Sequence, residues 1–133
     1  MADAAKGTIA ETWENDGDLG NFIGAIATGV TGCAASVTYC FTPTKFVSSI
    51  TVATTGAVPG EITVTYDTTT TGIAAVSGAN TIHIVPTIGG AALAAGSKGN
   101  IDWHCLSAGS TFGIGTKGSV QARYAPAQCR AKV

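Results

Sequence analysis

Charge is the scarcest ingredient of this sequence. Asp, Glu, Lys and Arg together supply 11% of its 133 residues, less than half the usual share, and Gly, Thr, Ala and Ser fill the places that charges normally occupy. A surface of that kind is neutral and polar, as on chains that pack against copies of themselves or work outside the cell. The formal net charge of -1 excludes a global basic field for nucleic acid or anionic lipid. No apolar run reaches the length of a membrane-spanning helix, and no charged leader followed by an apolar stretch opens the chain. Histidine is almost missing: His83 and His104 are the only two. The length fits one domain, residues 1–133, with a core large enough to fold without a metal.

The few charges present are unevenly spread. Residues 1–18 hold Asp3, Glu11, Glu14, Asp16 and Asp18 against Lys6 alone, whereas residues 103–133 hold Lys117, Arg123, Arg130 and Lys132 and no acid. Solvated surface charge explains such polarity most simply. Its functional reading is contact between subunits, with Glu11, Glu14, Asp16 and Asp18 on one side and Arg130 and Lys132 on the other.

Hydrophobic periodicity divides the chain. Ala5, Ile9 and Trp13 recur at four-residue spacing between polar residues, which predicts an amphipathic helix over about 2–15. It stops at Asn15-Asp16-Gly17, and at about four turns it has to dock on something to persist. Met1, Ala2 and Asp3 read as a start placed inside the helical pattern, so an upstream segment is expected. Residues 18–44 show no sustained period and are expected to be a long helix-to-sheet connection, tied by Cys33 and Cys40. From residue 45 to 105 the period is two. Phe46, Ser48, Ile50 and Val52 are expected on one face of a first strand. After a turn over 56–60, Ile62, Val64 and Tyr66 mark a second strand. "TIHIVP" gives a third, ended by Pro86 with Ile82 and Ile84 on one face and His83 on the other, solvated one. "IDWHC" gives a fourth, with Ile101, Trp103 and Cys105 on one face. Connections without helical segments make the four-stranded sheet antiparallel.

Little in this pattern supports catalysis. Neighbouring strand residues point to opposite sides, so Cys105 and His104 do not form a nucleophile and base. His83 and His104 could be cross-strand neighbours on the solvated face, but no thiolate converges on them as a metal site requires. Glu61, Asp67 and Asp102 read as surface acids. "GGAALAAGSKG" lacks the spacing and the Gly-Lys-Ser/Thr ending of a phosphate loop. Trp13 and Trp103 read as packing residues between helix and sheet. The four cysteines, Cys33, Cys40, Cys105 and Cys129, point to an oxidising compartment; three pairings are open, and local order favours Cys33 with Cys40 and Cys105 with Cys129. No cofactor is called for.

Taken in order, "AAKGTIAE", "TKFVSSITV", "TIHIVP", "IDWHC" and "RYAPAQCR" resemble the globular part of a bacterial type IV pilin of the type IVa class. They match the end of its long helix, its first, third and fourth sheet strands, and the segment that closes its C-terminal disulfide loop. The resemblance implies an α+β fold, an N-terminal helix across a four-stranded antiparallel sheet, with a loop over 105–129 closed by Cys105 and Cys129. It also implies a non-enzymatic structural subunit of an extracellular pilus filament. The hydrophobic half of the helix, which anchors the subunit in the inner membrane before assembly, would precede this sequence. Partners would be other pilin subunits, the pilus assembly machinery, and a host receptor or abiotic surface. The filament would serve adhesion, twitching motility, biofilm formation and DNA uptake. Residues 18–44 and 106–128 match the variable exposed regions, the second offering Ser107, Ser110, Phe112, Lys117, Arg123 and Tyr124 for interaction. A pseudopilin of a type II secretion system would share the helix and part of the sheet, but the C-terminal cysteine pair and the lack of an acidic calcium-loop cluster weigh against it. A secreted carbohydrate-binding β module would need exposed aromatics, for which Tyr39, Phe112 and Tyr124 are the candidates.

Overall fold

The computed structural model describes residues 3–26, 38–67, 80–125 and 129. Helix α1 runs over Asp3–Asp16, close to the expected span. Its stripe is buried as the spacing requires: Ala5 and Ile9 are fully buried and Trp13 nearly so. The helix closes where the Gly17 amide donates to the Trp13 carbonyl, and the Trp13 indole N–H reaches the Ser97 carbonyl at 3.2 Å. That bond ties the glycine-rich segment around Leu93, itself buried, to the end of the helix.

The connection after α1 is more ordered than its lack of period suggests. Gly24–Ile26 (β1) and Tyr39–Phe41 (β2) pair in parallel, Gly24 opposite Tyr39 and Ile26 opposite Phe41. Phe22, Tyr39 and Phe41 are buried in the core. Three-residue strands are too short to declare an alternation, and their partner lies across an intervening stretch, so no period marks them in the sequence.

The main sheet is antiparallel throughout. Strands β3 (Val47–Val52), β4 (Ile62–Tyr66), β5 (Thr81–Ile88), β6 (Ala91–Ala92) and β7 (Asp102–Leu106) form it. β5 lies between β4 and β7, and the two-residue β6 pairs with its end. Among the described residues the sheet therefore has five strands, the four expected ones and a short return that leaves no pattern of its own. Ile62, Val64, Tyr66, Ile82 and Ile84 face the helix and are buried; Ile101, Trp103 and Cys105 pack against the same core.

Two details depart from the expected alternation. The β3–β4 register shifts between Val47 and Ser49, a bulge that gives β3 one extra residue. Val47 and Ile50 consequently share the buried side while Phe46, expected inward, is 50% exposed. Pro86 does not end its strand, because β5 continues to Ile88. The last β5 residue paired with β4 is Ile84, so a proline at 86 breaks no bond of that ladder.

Candidate functional site

Strand alternation gives the sheet a second face, away from α1. Register puts Leu106 opposite His83, His104 opposite Val85 and Asp102 opposite Thr87 there. Val85 and Thr87 are fully buried and Leu106 is 2% exposed, so this face is covered along the middle of β5 and β7, with Asp102 exposed at its edge. The cover is the segment that the cysteines close. Cys105 and Cys129 are disulfide-bonded with their Cα atoms 4.5 Å apart, and the chain between them folds back over the sheet.

Its seating can be followed residue by residue. Phe112 stacks on the His104 ring with centroids 4.2 Å apart, and His104 Nε2 lies 2.9 Å from Thr87 Oγ1. Gly115, at φ 85°, passes so close to Val85 that an added Cβ would stand 2.4 Å from Val85 Cγ2. The Thr116 amide donates to Glu61 Oε1 at 2.9 Å. The Gly118 amide donates to the Leu106 carbonyl, and the Ser119 and Val120 amides donate to the Thr81 carbonyl. Val120, Ala125 and Cys129 then join the core that α1 shares. A 3-10 turn over Ala122–Tyr124 holds Arg123 over the Tyr124 ring at 4.9 Å.

The candidate loop residues divide accordingly. Lys117, Arg123 and Tyr124 are exposed, and Phe112 is half-buried on His104. Ser107 and Ser110, expected at the surface, are buried. Ser107 Oγ donates to the Cys129 carbonyl and Ser110 Oγ accepts from the Phe112 amide at 3.3 Å; both serve the loop's own shape. Tyr39, named as an aromatic platform, is buried. Among the candidate subunit contacts Glu11, Glu14, Asp16 and Asp18 are all exposed. Asp18 Oδ1 accepts from the Gly20 amide and Asp16 Oδ2 from the Asn21 side chain. Cys40 is disulfide-bonded. Cys33, Arg130 and Lys132 lie outside the described residues.

Glu61 and His83, both expected on the solvated surface, are partly buried and face each other. His83 Nδ1 stands 2.8 Å from Glu61 Oε1, with side chains 14% and 11% exposed, and Thr63 Oγ1 is 3.2 Å from the same nitrogen. The β4–β5 pairing of Thr63 with His83 would have revealed their diagonal relation. The Thr- and Gly-rich interval between those strands hides that register from the sequence.

This surface offers hydroxyls, backbone groups, a guanidinium and an aromatic ring. Among the described residues no group of His, Cys, Asp and Glu has the arrangement of a metal site. The family model for pilin, described as a bacterial filament, matches residues 1–130. Neither a curated protein nor a solved structure matches the chain. A helix laid on an antiparallel sheet, a C-terminal disulfide and a family match over nearly the whole sequence agree, and the chain belongs to the pilin family, the subunits of bacterial filaments.

Proposed function

We propose that this chain is the repeating subunit of a type IVa pilus and that the filament serves adhesion, twitching motility, biofilm formation and DNA uptake. One observation carries the reading. The sheet is covered on one side by α1 and on the other by the disulfide-closed segment, which leaves Lys117, Arg123 and Tyr124 exposed as a presented surface. In such a filament the long helix runs inward, so the covered outer face of the sheet turns to the medium. There it meets a host receptor or an abiotic surface.

The exposed acids Glu11, Glu14, Asp16 and Asp18 would meet Arg130 or Lys132 of a neighbouring subunit. Head-to-tail packing joins two different surfaces, and opposite charge favours one register. Among the described residues no helix is long and apolar enough to cross a membrane. Family members hold the subunit in the inner membrane, until the assembly machinery extracts it, through apolar helix that lies before the part matched by α1.

The test is complementation. A bacterium with an intact pilus machine but no major pilin receives the gene for the full-length subunit, and electron microscopy, twitching zones, surface attachment and transformation are scored. Filaments with restored twitching and attachment are expected. Cells that export and oxidise the subunit yet remain bald would sink the reading, and rescue of protein secretion in a type II secretion mutant would favour the pseudopilin instead.

A further inference from the structure

The disulfide joins the two ends of its loop but does nothing to hold the middle. Between Cys105 and Cys129, 24 positions apart, two side chains from outside the loop hydrogen-bond into its described residues: Thr81 Oγ1, which accepts the Ser119 amide at 3.1 Å, and, nearer the middle, Glu61 Oε1, which accepts the Thr116 amide at 2.9 Å. The same oxygen faces His83 Nδ1 at 2.8 Å. We propose that Glu61 and His83 form a latch that seats the middle of the loop on the sheet independently of the disulfide, and so fix which surface the subunit presents.

The argument is one of donors and acceptors. An ionised carboxylate only accepts, so the hydrogen at Nδ1 of His83 belongs to the imidazole, and in the neutral ring Nε2 is left with the lone pair. One partly buried oxygen thereby gathers an imidazole N–H and a backbone N–H, both charge-assisted and stronger than neutral bonds. The elements behind them are rigid: His83 lies within β5, paired with Thr63 of β4 and Leu106 of β7, and Glu61 directly precedes β4. The loop partner is the residue after Gly115, where the chain presses on Val85. The exposed Lys117 follows directly, so its position depends on this bond. Further along, the Ser119 and Val120 amides are held separately by Thr81. The conclusion rests on the reading of this loop as the presented face, but the latch itself can be tested without a filament.

The full chain is compared with Glu61→Ala and Glu61→Gln, and with a Cys105→Ser/Cys129→Ser double variant, by amide hydrogen exchange and by nitrogen NMR of the histidine rings. In Glu61→Ala the Thr116 amide should exchange faster by roughly tenfold or more, the scale of one lost hydrogen bond to a charged group. Ser119 and Val120 should keep their protection, which certifies the fold. Neutral His83 should carry its proton on Nδ1 in the parent chain and lose that preference in Glu61→Ala, while Glu61→Gln, whose amide oxygen still accepts, should weaken it. The cysteine variant should keep Thr116 protected. Unchanged Thr116 exchange in Glu61→Ala, an Nε2–H tautomer in the parent, or loss of Thr116 protection in the cysteine variant while Ser119 stays protected would each overturn the latch. A Glu61→Ala chain that loses protection at Thr116, Ser119 and Val120 together would overturn it too, because the contact would then be part of global stability. In piliated cells, Glu61→Ala should lower surface attachment without lowering filament number. Unaltered attachment with a released Thr116 would refute the link to presentation while leaving the filament assignment intact.

Discussion

At Gly115 the chain needs both a left-handed backbone and the absence of a side chain. Its φ is 85° and Val85 leaves no room for a Cβ. Gly109 has nearly the same φ, 83°, with nothing within 4 Å of an added Cβ. The two glycines separate strain from packing. Gly109→Ala should cost about 1 kcal/mol from conformation alone. Gly115→Ala adds overpacking against a buried valine and should cost about 2–4 kcal/mol. Urea unfolding midpoints decide it, and equal losses would mean that the loop does not press on the sheet. Two tyrosines give a second test at this scale. Burial pushes the Tyr39 and Tyr66 hydroxyls above the usual tyrosine value. The unfolded chain therefore sheds those protons first, and the stability they support is complete below about pH 10 and lost as pH rises through the raised folded values. Alkaline unfolding should coincide with the appearance of their phenolate absorbance, and Tyr39→Phe with Tyr66→Phe should flatten the decline. A slope unchanged in the double variant would refute it.

At the scale of elements, α1 carries a weakness that its packing covers. Gly7 sits in mid-helix, exposed, with nothing within 4 Å of an added Cβ. Gly7→Ala should therefore stabilise by about 0.5–1 kcal/mol, whereas Ile9→Ala, removing a fully buried side chain, should cost about 2–5 kcal/mol. Thermal melts check both, and destabilisation by Gly7→Ala would mean that the exposed face of the helix is already in contact with something. Strands show where element reading succeeds. Ile62, Val64 and Tyr66 alternate without interruption and are buried as their period demands. β3 breaks the rule because its bulge turns Val47 to the side of Ile50, and a single inserted residue leaves no mark in composition. β5 runs past Pro86 because β4 has already ended beside it, a fact about a neighbour and not about proline.

At the scale of the whole molecule, the exposed acids at the end of α1 are charge that a neighbouring subunit can meet. Helix α1 has no basic residue in its last turn, so Glu14 and Asp16 stand near the negative end of its dipole, which is unfavourable for an isolated subunit. Glu14→Lys should stabilise the separate chain by about 0.3–1 kcal/mol and yet weaken assembly of the full-length subunit. Pairs of this exposed kind are worth about 0–1 kcal/mol each, but a filament repeats them along its length. Reversal of Arg130 to Glu should weaken assembly likewise, and charge reversal at its acidic partner should restore part of the yield. Pilus yield and its salt dependence measure both effects. Yields that ignore single reversals would make the polarity ordinary surface charge.

Sequence alone determined the helix, the four main strands and their antiparallel pairing, and it favoured Cys105 with Cys129 as the ends of a loop while leaving three pairings open. Each of these rests on local information: a repeat of four or of two, a turn residue, or a cysteine at a strand end. Motif order then sufficed for the pilin resemblance. Tertiary structure decided the rest. Whether His83 meets water or Glu61 depends on what lies over the outer face of the sheet, and that cover comes from residues 112–116. Ser107 and Ser110 look like surface residues by type, but they are buried because the loop folds onto its own disulfide. A polar side chain is free to face water or a partner, and its own identity does not choose. The choice belongs to the distant chain that either covers it or leaves it open.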